Sequence, residues 1–213
     1  MKSATVQHYL ALGDSYTVGE AVTARESWPA QLARALEHRG VAVGDPQIIA
    51  RTGWTTGDLG QAMDAAALTA QRHLVTLQIG VNNQYRGEAR DAYRSEFSAL
   101  LARAVALADG CAQRVVVVSI PDWGLTPFAR QQERDALCIA HDVDAFNAIA
   151  RAEATRAGAQ WCDVTAISRQ YPGLLTADGL HPSGAQYQRW TDAIAPLARD
   201  AWLAPGAPTQ AQP

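Results

Sequence analysis

A serine hydroxyl is a poor nucleophile until a base takes its proton. Histidine is the side chain whose ordinary pKa suits that task near neutral pH. The base in turn needs an acceptor on its second ring nitrogen, to fix the tautomer and support the imidazolium. The sequence holds a residue for each part. Ser15 lies in "YLALGDSYTVGE", residues 9–20, where an apolar run stops at Gly13-Asp14-Ser15. Asp178 and His181 lie in "DGLHPSG", residues 178–184, three positions apart. One turn of chain puts both on the same side, so the carboxylate can reach Nδ1 while Nε2 faces a serine. Each fragment also has a bland reading. A serine after Gly-Asp is ordinarily a turn or a helix cap, and Asp178-Gly179 is turn chemistry ahead of Pro182 and a capping Ser183. Gly53 in "RTGWTT" and Asn82 in "IGVNN" are, taken alone, turn residues.

What gives these residues a common meaning is the set of elements that must carry them. Strands are expected at 9–12, 47–50, 73–80, 114–120 and 160–164. Helices are expected from Ser27-Trp28-Pro29 to Gly40, from Thr56 or Asp58 to about Ala70, and from Ala89 to Ala108. Two more are expected over 131–157 and 183–202. The last carries Tyr187, Trp190, Ile194 and Leu197 on one stripe, with Pro196 expected to kink or divide it. The four consecutive valines of "RVVVVSI" suit a parallel strand covered on both faces. Strand–helix alternation predicts a three-layer α/β/α sandwich, flavodoxin-like, with a five-stranded parallel sheet and right-handed crossovers. Ligands of such sheets bind beyond the C-terminal strand ends. Ser15, Gly53 and Asn82 all fall just past predicted strands, and Asp178 and His181 fall in the loop before the last helix.

Composition bounds the rest. A chain of 213 residues, 48% hydrophobic and 18% charged, suits one globular α/β domain. The expected bounds are residues 1–204, with "APGAPTQAQP" leaving 205–213 as a disordered tail. A net charge of −3 without a basic block argues against a nucleic-acid surface. No apolar stretch reaches the length of a membrane span, and no signal-type apolar region follows Lys2, so the cytoplasm is the expected location. Cys111, Cys138 and Cys162 are an odd set without CxxC spacing, as expected of reduced thiols. The other histidines, His8, His38, His73 and His141, show no metal-ligand spacing with Asp178 and His181. Neither a metal nor a cofactor is expected.

In order, "LGDSY", "RTGWTT", "IGVNN" and "DGLHPSG" resemble the four sequence blocks of the GDSL/SGNH serine esterases and acylhydrolases, over residues 10–184. The resemblance implies a nucleophile at Ser15, a base at His181, an orienting carboxylate at Asp178, and an oxyanion hole of Ser15, Gly53 and Asn82. The chemistry agrees: backbone amides of Ser15 and Gly53 and the Asn82 carboxamide are candidate donors where a carbonyl oxygen gains charge. Two positions depart from the blocks. Tyr16 stands where the family name has leucine, and Asn83 stands where the third block has aspartate, removing a carboxylate near the site. Trp54, Tyr85, Trp123 and Phe128 lie on the same loops and either line an acyl pocket or roof the core.

The expected function is therefore hydrolysis of carboxylic esters, of short to medium acyl chains because no lid-like insertion is visible. The partner is a small-molecule ester. Removal of acetyl groups from a carbohydrate, and acyl transfer to an alcohol, are alternatives with the same chemistry. A binding module without activity is an alternative of another class, and an intact Ser15, Asp178 and His181 counts against it. The oligomeric state is not legible.

Overall fold

The structure is a computed structural model and describes residues 8–205; all but the first residue of the expected tail lies outside it. In chain order the elements are β1 (Tyr9–Gly13), α1 (Ser15–Val18), α2 (Trp28–Glu37), β2 (Gln47–Ala50), α3 (Thr56–Ala65), β3 (Leu74–Gln78), α4 (Val81–Tyr85) and α5 (Arg90–Leu107). A 3₁₀ turn at Ala112–Arg114 leads into β4 (Val115–Val118). Then come α6 (Pro127–Gln131), α7 (Ala136–Ala157), β5 (Gln160–Cys162), α8 (Thr165–Gln170) and α9 (Gly184–Leu203).

The five strands form one parallel sheet in the order β2-β1-β3-β4-β5, which is the flavodoxin-like order. β1, β3 and β4 are buried along their whole length between two helical layers, and the two polar residues of β3, Thr76 and Gln78, are hydrogen-bonded there to Tyr9, Trp28 and the Ser119 carbonyl. α9 packs against α2 and on β3, β4 and β5. α5 packs against α3 and α7, with α5 on β3 and α7 on β4 and β5. The chain turns outward from β1 to β2 on one side and from β3 to β4 on the other, so the switch point lies between β1 and β3. The register pairs Gly13 with both Ala50 and Gln78. Three strand ends are thus level at the place where this topology opens a crevice.

The sequence expectations fail mainly at helix ends. The segment 131–157 is two elements, because Glu133 adopts a left-handed backbone (φ 53°) and Asp135 caps a new helix by accepting from Leu137 N and Cys138 N. α3 stops at Ala65, short of Ala70, with Ala66 already extended. Ser27 sits at the cap position of α2, but its hydroxyl donates to the Ala24 carbonyl instead of accepting from the helix. Pro196 does not divide α9. The lost donor there is outweighed by the buried stripe Tyr187, Trp190, Ile194, Ala198 and Ala201.

Candidate active site

Ser15 follows β1 through a turn that only glycine fits. A Cβ on Gly13 would stand 2.1 Å from Thr17 Oγ1 and 2.5 Å from the Gln78 carbonyl. The chain can therefore bend straight from strand into α1, with Asp14 as cap, its Oδ1 accepting from Tyr16 N at 3.0 Å. Ser15 is nearly buried, at 5% exposure. Tyr16, given no part by the sequence reading, packs its ring 5.7 Å from the His181 imidazole.

Gly53 sits in a turn closed by Trp54 N donating to the Arg51 carbonyl. It is the third residue of that turn and has φ of +84°, the sign that a type II turn demands there. Its own N–H takes no part in the closing bond. Asn82 stands in the first turn of α4. One hydrogen of its Nδ2 is held by the Trp54 carbonyl at 2.9 Å, which fixes the plane of the amide and leaves its second hydrogen without a partner among the described residues. Arg86, just past α4, donates to the Gly53 carbonyl at 2.7 Å. The loops after β2 and β3 are thus stitched together by side chain to backbone bonds.

Asn83 makes a third stitch. It accepts from Thr56 N at 3.1 Å and donates to Thr56 Oγ1 and Glu88 Oε2, each at 2.7 Å. It is fully buried. An aspartate there could take the Thr56 amide but would face the Glu88 carboxylate without a proton to share. The asparagine is therefore matched to Glu88, and the carboxylate missing from the third block is missing for a local reason.

Residues 174–183 fold back on themselves. Thr176 N donates to the His181 carbonyl, Ser183 N donates to the Leu174 carbonyl, and Gly179 turns the chain at φ +70°. This brings Asp178 Oδ2 to 2.7 Å from His181 Nδ1. Asp178 Oδ1 accepts from Thr176 Oγ1 at 2.7 Å, Leu180 N at 2.8 Å and His181 N at 3.0 Å. Partial burial works against its ionisation, but these bonds outweigh it and hold the carboxyl well below the usual range. A carboxylate only accepts, so this bond calls for the proton on Nδ1, and the neutral tautomer of that kind has Nε2 as its acceptor. Among the described residues Ser15 Oγ makes no hydrogen bond, so the Ser15–His181 bond is not formed here.

Ser15, His181, Gly53 and Asn82 nevertheless share one cavity of about 180 Å³. Thr52, Tyr16, Val81 and Leu180 complete its near walls, and Tyr85, Trp123 and Phe128 its aromatic side. Trp54, expected to line an acyl pocket, does not reach it; only its carbonyl serves the site, as the anchor of Asn82. Thr176, Arg86 and Tyr16 were the residues missed. The T-x-D spacing of Thr176 to Asp178 was the one local signal available. A larger, open cleft of about 690 Å³ between α7, β5 and α8 holds none of these residues. Among the described residues no group of three His, Cys, Asp or Glu side chains is placed to hold a metal ion. No helix there is long and apolar enough to cross a membrane.

Comparison with known proteins settles the family. Residues 11–189 match the GDSL-like lipase/acylhydrolase family. The chain belongs to that family. The chain is a carboxylic ester hydrolase of the GDSL/SGNH type. No curated protein matches it. Among solved structures, TesA is 21% identical with a TM-score of 0.68, over 91% of this chain and 98% of that one. The lipase/acylhydrolase from Enterococcus faecalis is 18% identical with a TM-score of 0.70, over 90% and 94%. The psychrotrophic esterase EstA from Pseudoalteromonas sp., in a form inhibited by monoethylphosphonate, is 18% identical with a TM-score of 0.62, over 92% and 93%. At these identities the likeness establishes the GDSL-type fold.

Proposed function

We propose that the protein hydrolyses carboxylic esters of short to medium acyl chains through an acyl-enzyme on Ser15. His181 Nε2 takes the proton as Ser15 Oγ attacks the carbonyl carbon. The carbonyl electrons move onto oxygen, which lies against Ser15 N, Gly53 N and Asn82 Nδ2. When they return, the ester bond breaks and the imidazolium gives its proton to the departing alkoxide. Water then repeats the sequence and frees the acid. Asp178 holds the imidazole in the tautomer that can accept, and opposes the charge when it forms. Residues 1–204 act as one catalytic domain, a reading supported by the family match over 11–189.

The observation that carries the reading is the 2.7 Å bond between Asp178 Oδ2 and His181 Nδ1 beside a cavity shared by His181, Ser15, Gly53 and Asn82. The acyl-chain range is supported by the cavity volume of about 180 Å³, below the roughly 300–1,000 Å³ of drug-sized ligand sites. The test is a fluorophosphonate probe with a p-nitrophenyl ester assay. The probe is expected on Ser15, with turnover abolished in Ser15→Ala at unchanged melting temperature. Near-wild-type turnover in Ser15→Ala would place the nucleophile elsewhere.

A further inference from the structure

The aromatic side of the cavity is built from three separate elements. Tyr85 ends α4, Trp123 follows β4, and Phe128 belongs to α6. Tyr85 and Trp123 meet edge to face with centroids 5.5 Å apart, and Phe128 lies 6.3 and 6.2 Å from them. Their attachments differ. Trp123 is 2% exposed and its indole N–H donates to Gln84 Oε1 at 2.9 Å. Tyr85 is 39% exposed, and among the described residues its hydroxyl has no hydrogen-bond partner. Tyr85 is thus the most exposed panel of this wall, without the polar anchor that fixes Trp123.

Arg134 holds it. The guanidinium carbon stands 5.1 Å from the Tyr85 ring centre and 5.4 Å from that of Trp123, in the notch between the rings. Its Nη1 points to the Tyr85 carbonyl at 3.4 Å. No ion pair competes for it among the described residues, and the adjacent Asp135 is committed to capping α7. The backbone is arranged to bring it there. Arg134 N donates to the Ala129 carbonyl and Glu133 N to the Arg130 carbonyl, a Schellman closure of α6. Glu133 takes the left-handed position of that closure, φ 53°, where glycine is usual. A strained residue directly before the arginine fits a segment selected for where it puts the next side chain.

We propose that Arg134 latches Tyr85 against Trp123 and closes the distal end of the acyl cavity, so that it limits the length of acyl chain the site accepts. Arg134 is a positioning residue; Tyr85 is the side chain that meets the acyl tail. This rests on the reading that the ester is cleaved at Ser15.

The test compares kcat/KM on p-nitrophenyl acetate, butyrate and octanoate for wild type, Arg134→Ala, Arg134→Lys and Tyr85→Ala. Loss of one cation–π contact at an exposed site corresponds to roughly two- to fivefold. The octanoate-to-acetate ratio in Arg134→Ala should rise by that factor, mainly through a lower KM for octanoate, with kcat on acetate little changed. Arg134→Lys should fall between, keeping the charge but losing the flat stack. Tyr85→Ala should raise the ratio by itself and gain nothing further from Arg134→Ala. An unchanged ratio in a folded Arg134→Ala, or an equal fall on all three esters, overturns the latch. If wild type hydrolyses none of them, the Ser15 reading fails separately. The latch is then tested by calorimetry with butyrate and octanoate anions: the same rise in relative affinity supports it, and an unchanged ratio overturns it.

Discussion

Asp14 and Asp178 are the same residue type, each within three positions of a side chain that lines the cavity, and their surroundings are opposite. Asp14 is fully buried. One of its oxygens caps Tyr16 N and the other has no hydrogen-bond partner among the described residues. Burial pushes its pKa up to about 7, against the pull of backbone N–H groups at Tyr16 and at Asp14 itself. At Asp178 burial acts in the same direction but is overcome by hydrogen bonds from His181 Nδ1, Leu180 N, His181 N and Thr176 Oγ1. Closeness to the serine therefore does not decide which carboxyl carries charge. The depth of its burial and the number of donors aimed at it do. A carboxylate held ionised belongs opposite an imidazolium, whereas one held near neutrality can cap a turn without placing a buried charge beside the nucleophile. Pairs of acids pushed apart in this way mark the division of labour in a site.

The comparison breaks most visibly if the two aspartates are exchanged for asparagine. Asp178→Asn keeps the shape and removes the charge. It should lower kcat on p-nitrophenyl acetate by on the order of 10³–10⁴, the cost of losing tautomer control and charge support in a triad. Asp14→Asn keeps the oxygen that caps Tyr16 N, so it should stay within about tenfold of wild type. Steady-state kinetics on both variants, with melting temperatures as the folding control, decide the matter. Equal losses would mean that both carboxylates serve the chemistry, or neither.

Much of this arrangement was legible before any coordinates, for identifiable reasons. Unbroken apolar runs such as Val115–Val118 can be satisfied only between two layers, which fixed the sheet. The glycines and polar residues at the strand exits then located the crevice. Asp178 and His181 were legible because their contact is local, three residues apart. The stitches between loops were not. Asn82 Nδ2 to the Trp54 carbonyl and Arg86 to the Gly53 carbonyl span 28 and 33 residues, and a backbone carbonyl leaves no mark in a sequence. The ring of Trp54 packs against the core, and its carbonyl is what the site uses. The short helices α1, α4, α6 and α8 escaped because four to six residues are too few to show a period of 3.6. Tyr16 is visible in the sequence only as a departure from the first block, because its contact with the base spans 165 positions of chain.

A smaller effect sharpens the electrostatic half of the comparison. The folded-state pKa of Asp14, about 7, lies above the ordinary value of about 3.9 in an unfolded chain. A group raised in this way contributes stability that is fully present below about pH 4 and is lost as pH rises toward 7. The most it can withdraw is on the order of 4 kcal/mol, three pKa units at about 1.4 kcal/mol each. Asp14→Asn should therefore gain melting temperature relative to wild type between pH 4 and pH 8, with no gain at pH 4. Asp178, lowered by its donors, has the reverse sign. Its contribution is present above the ordinary carboxylate value and disappears as pH falls through its depressed one. A difference between Asp14→Asn and wild type that stays flat over pH 4–8 would show that Asp14 is ionised in the fold throughout.

The smallest effect tests whether donors, rather than solvent access, keep Asp178 charged. Thr176→Val removes one of its four donors at nearly constant volume, leaving His181 Nδ1, Leu180 N and His181 N in place. A hydrogen bond to a charged group contributes about 1.5–3 kcal/mol when well shielded. Asp178 is about a third open to water, so the lower end after screening, about 1 kcal/mol, is the fitting scale. That corresponds to a loss of roughly fivefold in kcat. Thr176→Ser restores the hydroxyl without the methyl group and should recover most of the loss. A loosened loop would instead leave both variants impaired. The decisive measurement is the double variant with Asp178→Asn. If Thr176 acts only by holding a charged carboxylate, then removing it after the charge has gone should cost nothing more in kcat. A full fivefold loss in that background would mean that Thr176 works through the loop backbone, by way of its second contact with the His181 carbonyl, and not through the charge on Asp178.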